Sequence, residues 1–178
     1  IVIMDSAGIF LPSDLKDIIQ NIKKKFNIRV GFHGHNNFGL AVWNSIIALR
    51  SGAEIIDVSI RGFGAGAGNT QMDIFLTVLK KLGLKTKIEL QLIYNIAKKF
   101  PSILRQEKIN YKDPFSEPKN IMSANYGLFS GFASKVDYFS DKFKLDDVKA
   151  FKAIGEKKLV AGQEDLIFNV LYNLKESN

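Results

Sequence analysis

Ile28-Arg29-Val30-Gly31-Phe32-His33-Gly34-His35-Asn36-Asn37 decides how this chain is read. Ile28, Val30 and Phe32 alternate with Arg29, Gly31 and His33, the period-two pattern of a strand with one apolar and one polar face. His33 and His35, the two histidines of the sequence, therefore point the same way. Two residues of strand span about 6.5–7 Å, which lets two imidazoles converge on one ion at bond lengths of roughly 2.0–2.2 Å. An H-x-H at a strand end is two-thirds of a metal site that takes a carboxylate from elsewhere. A pair of solvated or core histidines is the competing reading, because short histidine motifs also arise by chance.

Upstream, Ile1 to Met4 reads as a buried strand ending at Asp5, Asp5-Ser6-Ala7-Gly8 as a turn, and Pro12-Ser13-Asp14 as the start of a helix that closes near Lys25. Downstream, a helix is expected from Leu40 to Arg50, stopped by Ser51-Gly52, then a strand from Ile55 to Ile60. A loop dense in glycine follows, Gly62 to Asn69, and a helix from Gln71 to Leu82 ended by Gly83. Strand–helix alternation with short connections means right-handed βαβ units and a parallel sheet. Apolar alternate positions face the helices and leave Arg29, His33, His35, Asp57 and Ser59 on the opposite side. That pattern suits a barrel interior, and the polar candidates gather at the carboxyl ends of strands, where α/β proteins build their sites.

The remaining sequence is helical in outlook. Leu90, Ile93, Ile96 and Ala97 have helical spacing; Pro101, Pro114 and Pro118 are expected to punctuate an irregular stretch. A helix is expected over Ala124 to Tyr138, another over Leu145 to Ile154 stopped by Gly155, and a last one from Gln163 to Leu174. The domain division is therefore placed at 1–86 and 87–178.

Composition narrows the function classes. The 178 residues are 46% hydrophobic, enough for a sizeable core, and contain no cysteine, which removes disulfides and thiolate metal sites. The net charge of +7 is spread over scattered lysines; Lys98-Lys99 and Lys157-Lys158 are isolated pairs, so no nucleic-acid partner is expected. No apolar run approaches the roughly eighteen residues of a membrane span, and the expected location is the cytoplasm. With a strand at the first residue, the chain is expected to be the downstream part of something longer.

Three segments in this order resemble the 4-hydroxy-2-oxovalerate aldolases: Asp5-Ser6-Ala7-Gly8; Gly31 to Asn37 with Asn44-Ser45; and Asp57 to Asn69. Ala161-Gly162-Gln163-Glu164-Asp165 is similar to a segment near the end of those enzymes. The resemblance implies an α/β fold, the last three βα units of a TIM barrel followed by a small helical carboxyl-terminal domain. It implies a divalent-metal-dependent lyase that cleaves a 4-hydroxy-2-oxo acid to pyruvate and an aldehyde. The ion would be Mn2+, with Mg2+ or Co2+ as alternatives, held by His33 and His35. Ser6 would contact the pyruvyl group, its other reading being a plain turn serine. Asn69 would lie around the ion as an outer ligand or cap the following helix. The helical domain would dock an acylating aldehyde dehydrogenase. The family segment that supplies the metal carboxylate, an arginine and a histidine base is absent, so the isolated chain is expected to lack activity.

Two positions depart from the family. Phe129 stands where the family has a tyrosine proton donor, and a phenyl ring transfers no proton. Tyr126, one helical turn earlier, is the substitute candidate, or simply a packed aromatic. Asn36 replaces a histidine common in close relatives. Rival readings are another carbon–carbon lyase or synthase on the same scaffold, a non-catalytic docking homologue, and a dinucleotide-binding module built on Gly62-x-Gly64-x-x-Ala67 with Glu89 as the ribose partner.

Overall fold

The computed structural model describes residues 1–109 and 117–177; Pro114 lies outside them. Three strands, β1 (Val2–Asp5), β2 (Gly31–Gly34) and β3 (Ile55–Asp57), form a parallel sheet in that order. Helices α1 (Pro12–Lys25), α2 (Ala41–Arg50) and α3 (Met72–Lys81) follow them in turn. The register sets Met4, His33 and Asp57 side by side, and Val2, Gly31 and Ile55 one step back on the same face. The opposite face carries Ile3, Phe32 and Ile56, which pack with Leu15 and Ile19 of α1 and Ala48 of α2. Helices therefore cover one face of the sheet, and the histidine face is open.

That asymmetry corrects the expectation of a buried first strand. Ile3 is covered, but Val2 and Met4 are 43% and 54% exposed because they share the open face with His33. The third strand is also shorter than expected. Ser59 donates its N–H to Thr70 O at 3.0 Å and accepts from Met72 N at 2.9 Å. The folded-back glycine loop thus takes the backbone groups that a longer strand would use, and Ile60–Gly62 closes as a single 3-10 turn.

Asp5 anchors the turn after β1. Its carboxylate accepts from the N–H groups of Ile9 at 2.9 Å and Phe10 at 3.1 Å while the residue is only 2% exposed. Burial raises its pKa from the ordinary 3.8, against the opposing pull of the backbone hydrogen bonds from Ile9, Phe10 and Gly8. A carboxyl whose folded-state pKa is raised binds its proton more tightly in the folded state. Its stabilising contribution is full below pH 3.8 and is lost as pH rises through the folded value. Asp5→Asn is expected to remove this rise in stability on acidification. Urea melts at pH 7, 5 and 4 check it; an unchanged pH profile in the variant would contradict it.

Helix α4 (Leu90–Gln106) runs straight through Pro101, where an irregular stretch was expected. An interior proline costs about 3 kcal/mol. Ile93, Ala97 and Leu104 are buried at helical spacing across it, and that apolar face offsets the lost hydrogen bond. Ile93 packs with Phe75, Leu76 and Leu79, so α4 leans on α3.

The other helices form a second unit. Helices α5 (Pro118–Asn125), α6 (Ala133–Phe143), α7 (Asp147–Glu156) and α8 (Asp165–Glu176) enclose Leu128, Phe132, Phe151, Ile154 and Leu171. Pro118 starts a helix rather than interrupting one, as suits proline in a first turn. The single helix expected over 124–138 is divided. Gly127, at φ +67°, closes α5, with Leu128 N–H donating to Ser123 O at 2.8 Å, and Ser130–Phe132 makes one 3-10 turn before α6. Gly155 does not stop α7 but lies inside it. A Cβ there would sit 2.5 Å from the Tyr126 carbonyl oxygen, so glycine is what lets α5 and α7 close on each other.

Candidate metal centre

The register that aligns β1, β2 and β3 also builds the site. His33 and His35 leave β2 on the same side, with ring centroids 5.2 Å apart. Nδ1 of His33 lies 3.3 Å from Oδ2 of Asp57 on the next strand. Nδ1 of His35 lies 2.6 Å from Oγ of Ser130, a residue of the helical unit. The His35 ring also has a backbone hydrogen bond at Ala65. With both Nδ1 atoms engaged, Nε2 of each ring is the nitrogen that would bind a cation. In that state Nδ1 carries the proton and donates it to the Asp57 carboxylate or the Ser130 hydroxyl, the pattern by which ligating imidazoles are oriented. Burial lowers the His35 pKa, the neighbouring His33 lowers it further, and a backbone hydrogen bond at Ala65 opposes both. The ring is therefore held in the neutral form that ligation requires.

The glycine loop closes the third side. His35 and Asn69 form an antiparallel bridge, Asn36 N–H donates to Gly68 O at 2.9 Å, and Thr70 N–H donates to Gly34 O at 3.1 Å. The Asn69 side-chain oxygen is buried there without a hydrogen-bond partner. Asn69 is not the cap of α3: Gln71 precedes that helix and no side chain caps it. Two adjacent imidazoles, each with a polar partner on Nδ1, are a donor pair that fits a divalent cation. Among the described residues no group of three or more His, Asp or Glu could complete such a site.

The other expected positions divide. Ser6 is part of the site by its backbone: its carbonyl accepts from Ser130 N–H at 2.9 Å, while its side chain is half-buried. Phe129 stands edge-on to His35, ring centroids 6.3 Å apart, and edge-on to Phe132 at 5.3 Å. Tyr126 does not share a helical face with it, because the chain turns at Gly127; it packs into the helical cluster instead. Asn36 has a local duty, accepting from Ala41 N–H at 3.1 Å where α2 begins. Asn44 donates to Phe10 O at 2.7 Å, and the Ser45 hydroxyl meets that of Thr70 at 2.8 Å, fastening the loops beneath the site.

The rival dinucleotide reading fails on geometry. Glu89 precedes α4 instead of ending a strand, and Gly62 belongs to the 3-10 turn rather than to a phosphate-facing strand–helix junction. Two contributors were not singled out from sequence. Asp57 was legible as a polar-face residue from strand period, but its pairing with His33 comes from the inter-strand register. Ser130 carried no signal, being separated from His35 by 95 residues.

Residues 1–99 match the family described as HMGL-like, and residues 114–176 match the DmpG-like communication domain. The chain is 43% identical over 178 residues to a 4-hydroxy-2-oxovalerate aldolase of Pectobacterium atrosepticum, an alignment that covers 100% of this chain and 50% of that protein. It is 41% identical over 175 residues to the protein of the same name from Spirochaeta aurantia, covering 98% and 50%. The chain thus spans about half the length of the curated relatives it matches. The solved carboxyl transferase domain of Rhizobium etli pyruvate carboxylase, with 3-hydroxypyruvate, superposes with a TM-score of 0.79 at 13% identity, covering 99% of this chain and 31% of that one. This likeness concerns the fold alone: βα units of the TIM-barrel type followed by helices.

Proposed function

This chain belongs to the HMGL-like family, and from that premise we propose that it is the cation-holding and docking part of an aldolase cleaving a 4-hydroxy-2-oxo acid to pyruvate and an aldehyde. The observation that carries the reading is the pair His33 and His35, each with its Nδ1 held by a different neighbour. When bound, a divalent ion, Mn2+ with Mg2+ and Co2+ as alternatives, supplies a Lewis acid that draws electron density from the substrate's 2-oxo group. His33 and His35 would hold it through Nε2, and Asn69, whose backbone bridges His35, would be an outer ligand. Asp57 and Ser130 orient the two rings. Ser6, at the end of β1, lines the side where the pyruvyl group would lie. Phe129 shields His35 from water but transfers no proton, so the donor is water or another group.

In this reading residues 1–86 supply the cation-binding half of the barrel and 87–178 the docking portion, with α4 attached to the barrel side by its packing on α3. The match to a communication domain supports docking on an acylating aldehyde dehydrogenase. No described helix is long and apolar enough to cross a membrane, and the cytoplasm is the proposed location.

The deciding experiment is release of pyruvate from 4-hydroxy-2-oxopentanoate by the natural polypeptide with Mn2+. Release that stops on chelation and returns with Mn2+ is the expected result. Mn2+ binding without release would move the assignment to another carbon–carbon lyase or synthase. Absence of both would leave docking as the function.

A further inference from the structure

Ser130 belongs to the helical unit, yet its hydroxyl lies 2.6 Å from Nδ1 of His35. It is fully buried and held from two sides. Its N–H donates to Ser6 O at 2.9 Å, on the turn after β1. Its carbonyl oxygen lies against Gly66, where a Cβ would meet it at 2.5 Å. The 3-10 turn Ser130–Phe132 is therefore clamped between the first βα loop and the glycine loop, and the hydroxyl reaches the imidazole from that clamp.

The structure assigns Ser130 as the positioning residue of His35: its hydroxyl fixes the ring's orientation, with the backbone hydrogen bond at Ala65 as a further contact, so the helical unit is a structural part of the cation site. This rests on the cation reading of His33 and His35. The physical reason is the asymmetry of imidazole. A hydroxyl on Nδ1 donates or accepts according to the tautomer, but in either case it fixes the ring plane and so the direction in which Nε2 points; a ring without that partner loses the constraint. His33 has its own partner in Asp57 within the sheet, so the helical unit acts on one ring of the pair.

Ser130→Ala in the natural polypeptide tests this, because it removes only the hydroxyl. The backbone bond to Ser6 remains and nothing larger enters the buried site. Loss of a partner of this kind lowers metal affinity roughly 10–100-fold. Titration calorimetry with Mn2+ is expected to show a weakening in that range. Nitrogen NMR of histidine-labelled, metal-free protein is expected to show one His35 ring state in the wild type and exchange between ring orientations in the variant, with the His33 signals unmoved. Unchanged His35 signals would overturn the assignment, even if affinity fell, because the turn's packing rather than the hydroxyl would then be responsible. A wild type that binds no Mn2+ would overturn the cation reading, while the nitrogen NMR measurement would still decide whether Ser130 orients His35.

Discussion

His33→Ala is expected to abolish Mn2+-dependent turnover in the natural polypeptide while leaving it folded. A Lewis-acid ion contributes several kcal/mol of transition-state stabilisation, and each 1.36 kcal/mol is tenfold in rate, so about a 10³-fold loss is expected. The fold tolerates the change because His33 projects from the open face of the sheet, opposite the buried cluster of Phe32, Leu15 and Ile19. Its bond to Asp57, whose side chain is 48% exposed, is the interaction lost. Exposed pairs of this sort contribute roughly 0–1 kcal/mol. Initial rates and Mn2+ titration measure the loss, and a thermal melt confirms that the protein is intact. Full activity in a folded His33→Ala variant would remove the cation assignment.

Gly66→Ala is expected to damage stability and cation affinity together. Gly66 adopts φ +60°, a left-handed conformation that costs an L-residue about 1–2 kcal/mol. The added Cβ would also meet Ser130 O at 2.5 Å and Ser130 C and Cβ at 3.0 Å. These are backbone and buried atoms with no room to retreat, and overpacking of this kind costs about 1–3 kcal/mol. Whichever segment yields, Ser130 is displaced from His35. Chemical denaturation should show a loss of about 2–5 kcal/mol, and Mn2+ titration a weaker site. The contrast with Ser130→Ala is diagnostic: that variant should lose affinity with little loss of stability. A Gly66→Ala protein with wild-type melting and affinity would mean that the glycine loop and the helical unit are not coupled.

The departures from expectation share a cause. Local pattern placed α1, α2 and α3 within a residue or two of their observed limits, because each pairs a periodic apolar face with clear boundary signals such as Ser51-Gly52 and Gly83, whereas β2 begins at Gly31, three residues after the alternation starts at Ile28. It failed where a distant contact overrode local preference. Pro101 would end a helix by itself, but burial of Ile93, Ala97 and Leu104 carries α4 past it. Gly155 reads as a stop, yet it answers the close approach of Tyr126 O. Asn69 has the chemistry of a helix cap, but its backbone is committed to bridging His35, and its side chain lies buried against Gly64.

By itself the sequence determined the parallel βα alternation, the common face of His33 and His35, and the polar side of its own strand on which Asp57 lies, because a strand's period of two is a local property of the backbone. Only the tertiary structure decided which groups hold the two rings. Asp57 reaches His33 through inter-strand register, and Ser130 reaches His35 through a turn of the helical unit docked between two loops. Register and docking follow from how apolar faces pack over many residues, and no spacing along the chain encodes a contact between residues 35 and 130.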